Sequence, residues 1–94
     1  MKMSKFEMLP ISDTEILGNQ AVISFGEYEI SIIDNGYGKE KGLYEIGVFK
    51  NGVMTELPGV TAEGDTVKGF LTETDVDVIL KKMYLITGVE PQQI

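Results

Sequence analysis

The residues best equipped for chemistry in this 94-residue chain lie in one glycine-rich stretch, Asp34-Asn35-Gly36-Tyr37-Gly38-Lys39-Glu40-Lys41-Gly42. Backbone amides presented by glycines beside a lysine can cradle a phosphate when both the spacing and the following element are right. In this chain the glycines run G-x-G-x-x-x-G instead of G-x-G-x-x-G, and the alternation that follows is that of a strand. No helix N-terminus would therefore face a pyrophosphate. Glu40 follows Gly38-Lys39 where a Walker loop needs Ser or Thr, and Asp34 with Asn35 lacks the alternating acids and distal glutamate of a calcium loop. The stretch reads as a long, mobile hairpin connection, with Tyr37, flanked by Lys39 and Lys41, as its candidate contact to a partner.

A second set of reactive groups is the acidic band Glu63, Asp65, Glu73, Asp75 and Asp77, interrupted only by Lys68. Such a row could imitate nucleic-acid phosphates. Duplex DNA, however, carries about one charge per 1.7 Å of axis, a density that a net charge of −7 cannot match on one face. Asp75 and Asp77 remain a local acidic epitope, with complementation of a helix dipole as their ordinary role. Paired-carboxylate glycoside hydrolysis needs two acids facing each other across a sugar cleft, for which a chain of this length has little room.

Composition removes most other chemistry. There is no cysteine and no histidine, and all eight basic residues are lysine. Disulfides, thiolate nucleophiles, ordinary zinc sites, imidazole acids or bases and the bidentate guanidinium fork are all excluded. No catalytic, metal-ligating or cofactor-binding residue nominates itself. The expectation is a non-enzymatic protein without cofactor or small-molecule ligand.

Fifteen acids against eight lysines oppose direct contact with nucleic acid or an anionic membrane. The longest apolar run falls well short of the roughly 18 residues that cross a bilayer. The start, MKMSKFEMLP, lacks the apolar stretch of a signal peptide, so a cytoplasmic location is expected.

With 43% hydrophobic content, the chain describes one domain, whose apolar residues are largely committed to a single core. From Gln20 to Leu57 the apolar residues recur with period two, the mark of an antiparallel meander with one buried face. Tyr28, Ile30 and Ile32 alternate with Glu29 and Ser31, and Tyr44, Ile46 and Val48 alternate with Glu45 and Gly47. Asn51-Gly52 predicts a type I′ hairpin turn that pairs Lys50 with Val53 and Phe49 with Met54. Continued, this register sets Val48 opposite Thr55 and Ile46 opposite Leu57. Gly26-Glu27 is compatible with a tight turn or a bulge, and Val67–Leu71 with a short strand or a lead into the helix.

Thr72 with Asp75 predicts a capping box, with Leu71 and Val76 at the staple positions and Gly88 as the stop. Glu73, Asp75 and Asp77 ahead of Lys81 and Lys82 suit the helix dipole. Val76, Ile79, Leu80, Met83 and Ile86 form the core stripe. The fold expected is α+β: a meander of about four to five strands packed against one C-terminal helix. Residues 1–19 form an irregular or edge segment, 20–71 the sheet, 72–87 the helix and 88–94 a tail.

A rotation of about 100° per residue points Val78 and Leu85 away from that core stripe, with Lys81 and Lys82 beside them. Covering each apolar side chain is worth roughly 1.5–3 kcal/mol, so a cover is expected. The N-terminal segment, a second copy of the chain or another protein are the alternatives.

The block KGLYEIGVFKNGVMTELPGVTAEGDTVKGFLTETDVDVILKK, from Lys41 to Lys82, resembles small accessory proteins of tailed bacteriophages. In these, an LYEIGVF-NG hairpin precedes a G-[FY]-L-[ST] entry into an acidic-started helix. The resemblance implies a virus-encoded modulator of a host or viral protein and carries no catalytic residues. The functional expectation is a protein-binding module contacting its partner through Val78, Leu85, Lys81, Lys82, Tyr37, Asp75 and Asp77. A small structural homo-oligomer and an acidic nucleic-acid mimic are the rivals.

Overall fold

The structure is a computed structural model, and it describes residues 1–3, 5–12 and 15–94. Among the described residues, seven strands, β1 (Leu9–Pro10), β2 (Asn19–Phe25), β3 (Tyr28–Ile33), β4 (Tyr44–Lys50), β5 (Val53–Met54), β6 (Val67–Leu71) and β7 (Gln92–Gln93), form one antiparallel sheet. A 3-10 turn (Lys39–Lys41) lies between β3 and β4, and the helix α1 (Glu73–Thr87) follows β6. The class is the expected α+β. Strands β2, β3 and β4 are its centre. The free edge of β2 is shared by β1 at Asn19–Gln20 and β7 at Ile23–Ser24, and that of β4 by β5 and β6. Short segments placed end to end thus satisfy backbone groups that would otherwise template aggregation.

Turn chemistry sets the central register. Phe25 opposes Tyr28, so Gly26-Glu27 is a two-residue turn, with Gly26 at φ +72°. Asn51 and Gly52 both take positive φ, +51° and +81°, and pair Lys50 with Val53 and Phe49 with Met54. The further pairing of Ile46 with Leu57 does not occur. The Thr55 N–H still donates to the Val48 carbonyl, but the chain then leaves the edge ahead of Pro58, and β6 returns to set Lys68 opposite Ile46. A proline cannot donate to the ladder, which frees the edge for β6.

The rows Ile23–Ile30–Val48 and Ala21–Ile32–Ile46 run across the sheet and are fully buried beneath Val76, Ile79, Leu80 and Met83 of α1. Ile86, expected on the same stripe, is instead 50% exposed. It lies near the Gly26-Glu27 hairpin, lining a cleft with Phe25, Tyr28 and Val89. Thr61, the buried polar residue, is satisfied because its hydroxyl accepts from the Leu57 N–H at 2.9 Å.

The segment read as a tail is in part a strand. Gln92–Gln93 pairs with β2, and the Gln93 side chain clips the N-terminal segment by accepting from the Glu7 N–H and donating to the Glu7 carbonyl. Two polar residues without alternation carry no strand signal. Ahead of β1, Met3, Phe6 and Met8 pack against the core, and Phe6 meets Tyr44 edge to face at 5.8 Å.

The helix begins as its sequence dictates. The Thr72 hydroxyl accepts from the Asp75 N–H at 3.1 Å, and the Asp75 carboxylate accepts from the Thr72 N–H at 2.9 Å. Gly88 at φ +68° ends it by donating to the Tyr84 carbonyl. Lys81 and Lys82, however, lie ahead of the last turn, where the dipole interaction has already fallen off.

A Thr72→Ala variant is expected to lose about 1 kcal/mol, read from urea denaturation. The Thr72 backbone N–H, then its hydroxyl, then the charge of Lys68 hold the Asp75 carboxyl below the usual aspartate range against slight desolvation. A lowered folded-state pKa contributes stability that is present above the ordinary aspartate value and is lost as pH falls through the lowered one. The stability difference between wild type and Asp75→Asn should therefore shrink on acidification through that window. A difference independent of pH would exclude this role for the carboxylate.

Candidate functional site

The register of β6 creates the most unusual feature of the surface. Leu71 opposes Tyr44 and Lys68 opposes Ile46, so three steps along β6 match two along β4. One residue is extra, which defines a β-bulge. Phe70 absorbs it at φ +57°, a left-handed conformation that is a genuine outlier for a bulky side chain. The bulge turns Leu71 into the core, immediately before the Thr72 cap, and leaves Phe70 59% exposed.

The glycine-rich loop docks on this bulge. The Phe70 N–H donates to the Tyr37 carbonyl at 3.1 Å, and Gly38 is buried at φ +101° against the Phe70 backbone. At Gly69 an added Cβ would lie 2.5 Å from the Tyr37 Cβ, so only glycine allows the loop and the strand to approach so closely. The stretch does connect two strands of a hairpin, and it is anchored at several points. Lys39 and Lys41 donate backbone hydrogen bonds to Gly36 and Gly38, and the Tyr37 N–H donates to the Glu45 carboxylate at 3.3 Å. The loop is held by its own turns and by two strands, and it displays Tyr37 at 66% exposure.

Two clefts flank Phe70. One, of about 440 Å³, lies between Tyr37 and Phe70 and is also lined by Lys39, Glu40 and Glu45. The other, of about 340 Å³, lies between β6 and α1 and is lined by Lys68, Asp75, Val78 and Lys82. Tyr37, Phe70 and Val78 are thus successive apolar points on one surface.

The other sequence-derived candidates divide between this surface and a second. Val78 and Leu85 do point outward, at 47% and 79% exposure. Seven residues of helix separate them by about 10 Å, and their neighbours differ. Leu85 lines a third cleft with Asp77, Lys81, Tyr84, Met1 and Met3. The described residues of the N-terminal segment therefore reach the flank of α1 without covering Leu85. Asp75 has its carboxylate engaged in the helix cap, and Lys82 donates to the Gly59 carbonyl at 3.0 Å, tying down the loop that carries buried Val60 and Thr61.

Phe70 and Glu45 are the residues that sequence reasoning missed. A glycine inside a strand pattern, here Gly69 within Val67–Leu71, signals a bulge and is the clue that points to Phe70. Among the described residues, no group of three or more acids is drawn together in a way that could hold a metal ion. Nor, among the described residues, is any helix long and apolar enough to cross a membrane. Comparison of the chain with models of protein families, with curated proteins and with solved structures returned no match.

Proposed function

We propose that this chain is a non-enzymatic binding module that acts by stoichiometric contact with another protein, through a surface centred on Phe70 with Tyr37 and Val78 on either side. The observation that carries this reading is the backbone of Phe70. A left-handed conformation costs a bulky residue roughly 1–2 kcal/mol that glycine would avoid. Burial of the ring offsets only part of that, since 59% of the residue is exposed. Strain retained where the fold gains little from it is a marker of function. The lack of histidine, cysteine and arginine supports contact over catalysis. The resemblance of Lys41 to Lys82 to phage accessory proteins extends the proposal to a virus-encoded modulator working in the host cytoplasm.

The test uses the intact chain and its Phe70→Gly variant as bait for a lysate of the source cells. The wild type should retain one protein in near-equimolar amount, and Phe70→Gly should lose at least about tenfold of it, as expected for an aromatic anchor. The Tm of the variant should be unchanged or raised, because glycine relieves the positive φ. Equal retention by both baits, or a Tm lowered by several degrees, would mean that the ring serves the fold and that the reading is wrong.

A further inference from the structure

The cleft between Tyr37 and Phe70 narrows the chemistry of the partner, and the inference rests on the reading just given. Two aromatic residues, Tyr37 and Phe70, and two acids, Glu40 and Glu45, line it. Glu45 is half-buried on β4, and one of its oxygens accepts from the Tyr37 N–H. Among the described residues, no lysine forms an ion pair with either carboxylate, although Lys39 lines the same cleft. A partner that covers the rings must also strip water from Glu45. An apolar occupant would desolvate that carboxylate with only the Tyr37 N–H to offset the loss, whereas a cation pairs with the carboxylates beside two aromatic residues. We infer that this cleft receives a lysine or arginine side chain of the partner protein. The net charge of −7 favours the same occupant at long range.

The probe is the blocked tripeptide acetyl-Gly-Arg-Gly-amide, titrated into isotope-labelled protein and followed by amide chemical shifts. A peptide with citrulline in place of arginine is the uncharged control. Shifts should be confined to residues 35–40, 45 and 70. Affinity should fall roughly fivefold with citrulline and in the Glu45→Gln and Glu40→Gln variants. Glu45→Gln keeps an oxygen to accept from Tyr37. Glu40 is exposed on the 3-10 turn, so its variant decides the matter if Glu45→Gln fails to fold.

Equal shifts with citrulline, unchanged affinity in both variants, or shifts centred elsewhere would overturn the inference. In the bait experiment, retention that depends on Phe70 but ignores both Glu→Gln changes would sink the cationic occupant alone. Retention that ignores Phe70 would sink the binding reading itself. A micromolar dimer abolished by Glu45→Gln would make a second copy the occupant and overturn the assignment to another protein.

Discussion

Replacing Ile30 with alanine is expected to destabilise the fold by about 2–5 kcal/mol, the largest effect of any substitution considered. Ile30 sits at the middle of β3, the central strand, with no accessible surface, between Ile23 on β2 and Val48 on β4. Both neighbours are β-branched and hydrogen-bonded into the sheet, and all three residues belong to the same buried cluster as Val76, Leu80 and Met83 of the helix. The surroundings therefore have little freedom to collapse into the space that alanine would leave. A domain of this size has only about 5–15 kcal/mol in total, so the variant should be marginal at 37 °C. The graded control is Ile30→Val, which removes one methyl group and should cost about 0.5–1.5 kcal/mol. Urea denaturation followed by circular dichroism measures both. A loss below 1 kcal/mol for the alanine variant would show that the central row is not tightly packed.

Gly69→Ala should produce the second largest change, and of a different kind. The added Cβ would lie 2.5 Å from the Tyr37 Cβ and 3.1 Å from the Tyr37 carbonyl oxygen, with backbone on the far side. Gly69 does not hold a positive φ, so alanine adds no torsional strain there and the effect is purely steric. The docked loop must move away from β6, weakening the hydrogen bond from the Phe70 N–H to the Tyr37 carbonyl. Overpacking of this sort costs about 1–3 kcal/mol. Because this contact sets Tyr37 against Phe70, partner retention should, on the proposed reading, fall with the stability. Amide exchange should become faster for residues 36–43 while the β2–β3–β4 core keeps its protection. Unchanged exchange in the loop would mean that it does not depend on Gly69.

These two substitutions probe the parts of the protein that differ most in how far they can be read from sequence. The Ile30 environment follows from local rules. Period-two alternation selects the buried face of β3 and β4, and Asn51-Gly52 sets the register at one end. The Thr72 to Asp75 box and Gly88 bound the helix, and the 3.6-residue stripe selects Val76, Ile79, Leu80 and Met83. Val78 and Leu85 follow from the same geometry as outward-facing residues. In each case the deciding interactions lie within a few residues along the chain.

The Gly69 environment does not follow from local rules. Whether Ile46 meets Leu57 or Lys68 depends on a return strand more than twenty residues away, and the mismatch of that strand with β4 creates the bulge. Ile86 fits the stripe by angle yet is half exposed, because a stripe carries no information about where the sheet beneath it ends. The polar pair Gln92–Gln93 becomes a strand because an unpaired stretch of β2 lies beside it. Sequence alone therefore determined the α+β class, the buried faces of β3 and β4, the Asn51-Gly52 turn and the helix limits, which depend on near neighbours. The tertiary structure decided the edge strands, the docking of the glycine-rich loop and the exposure of Phe70, because close approach between distant segments depends on how much space their backbones leave for each other.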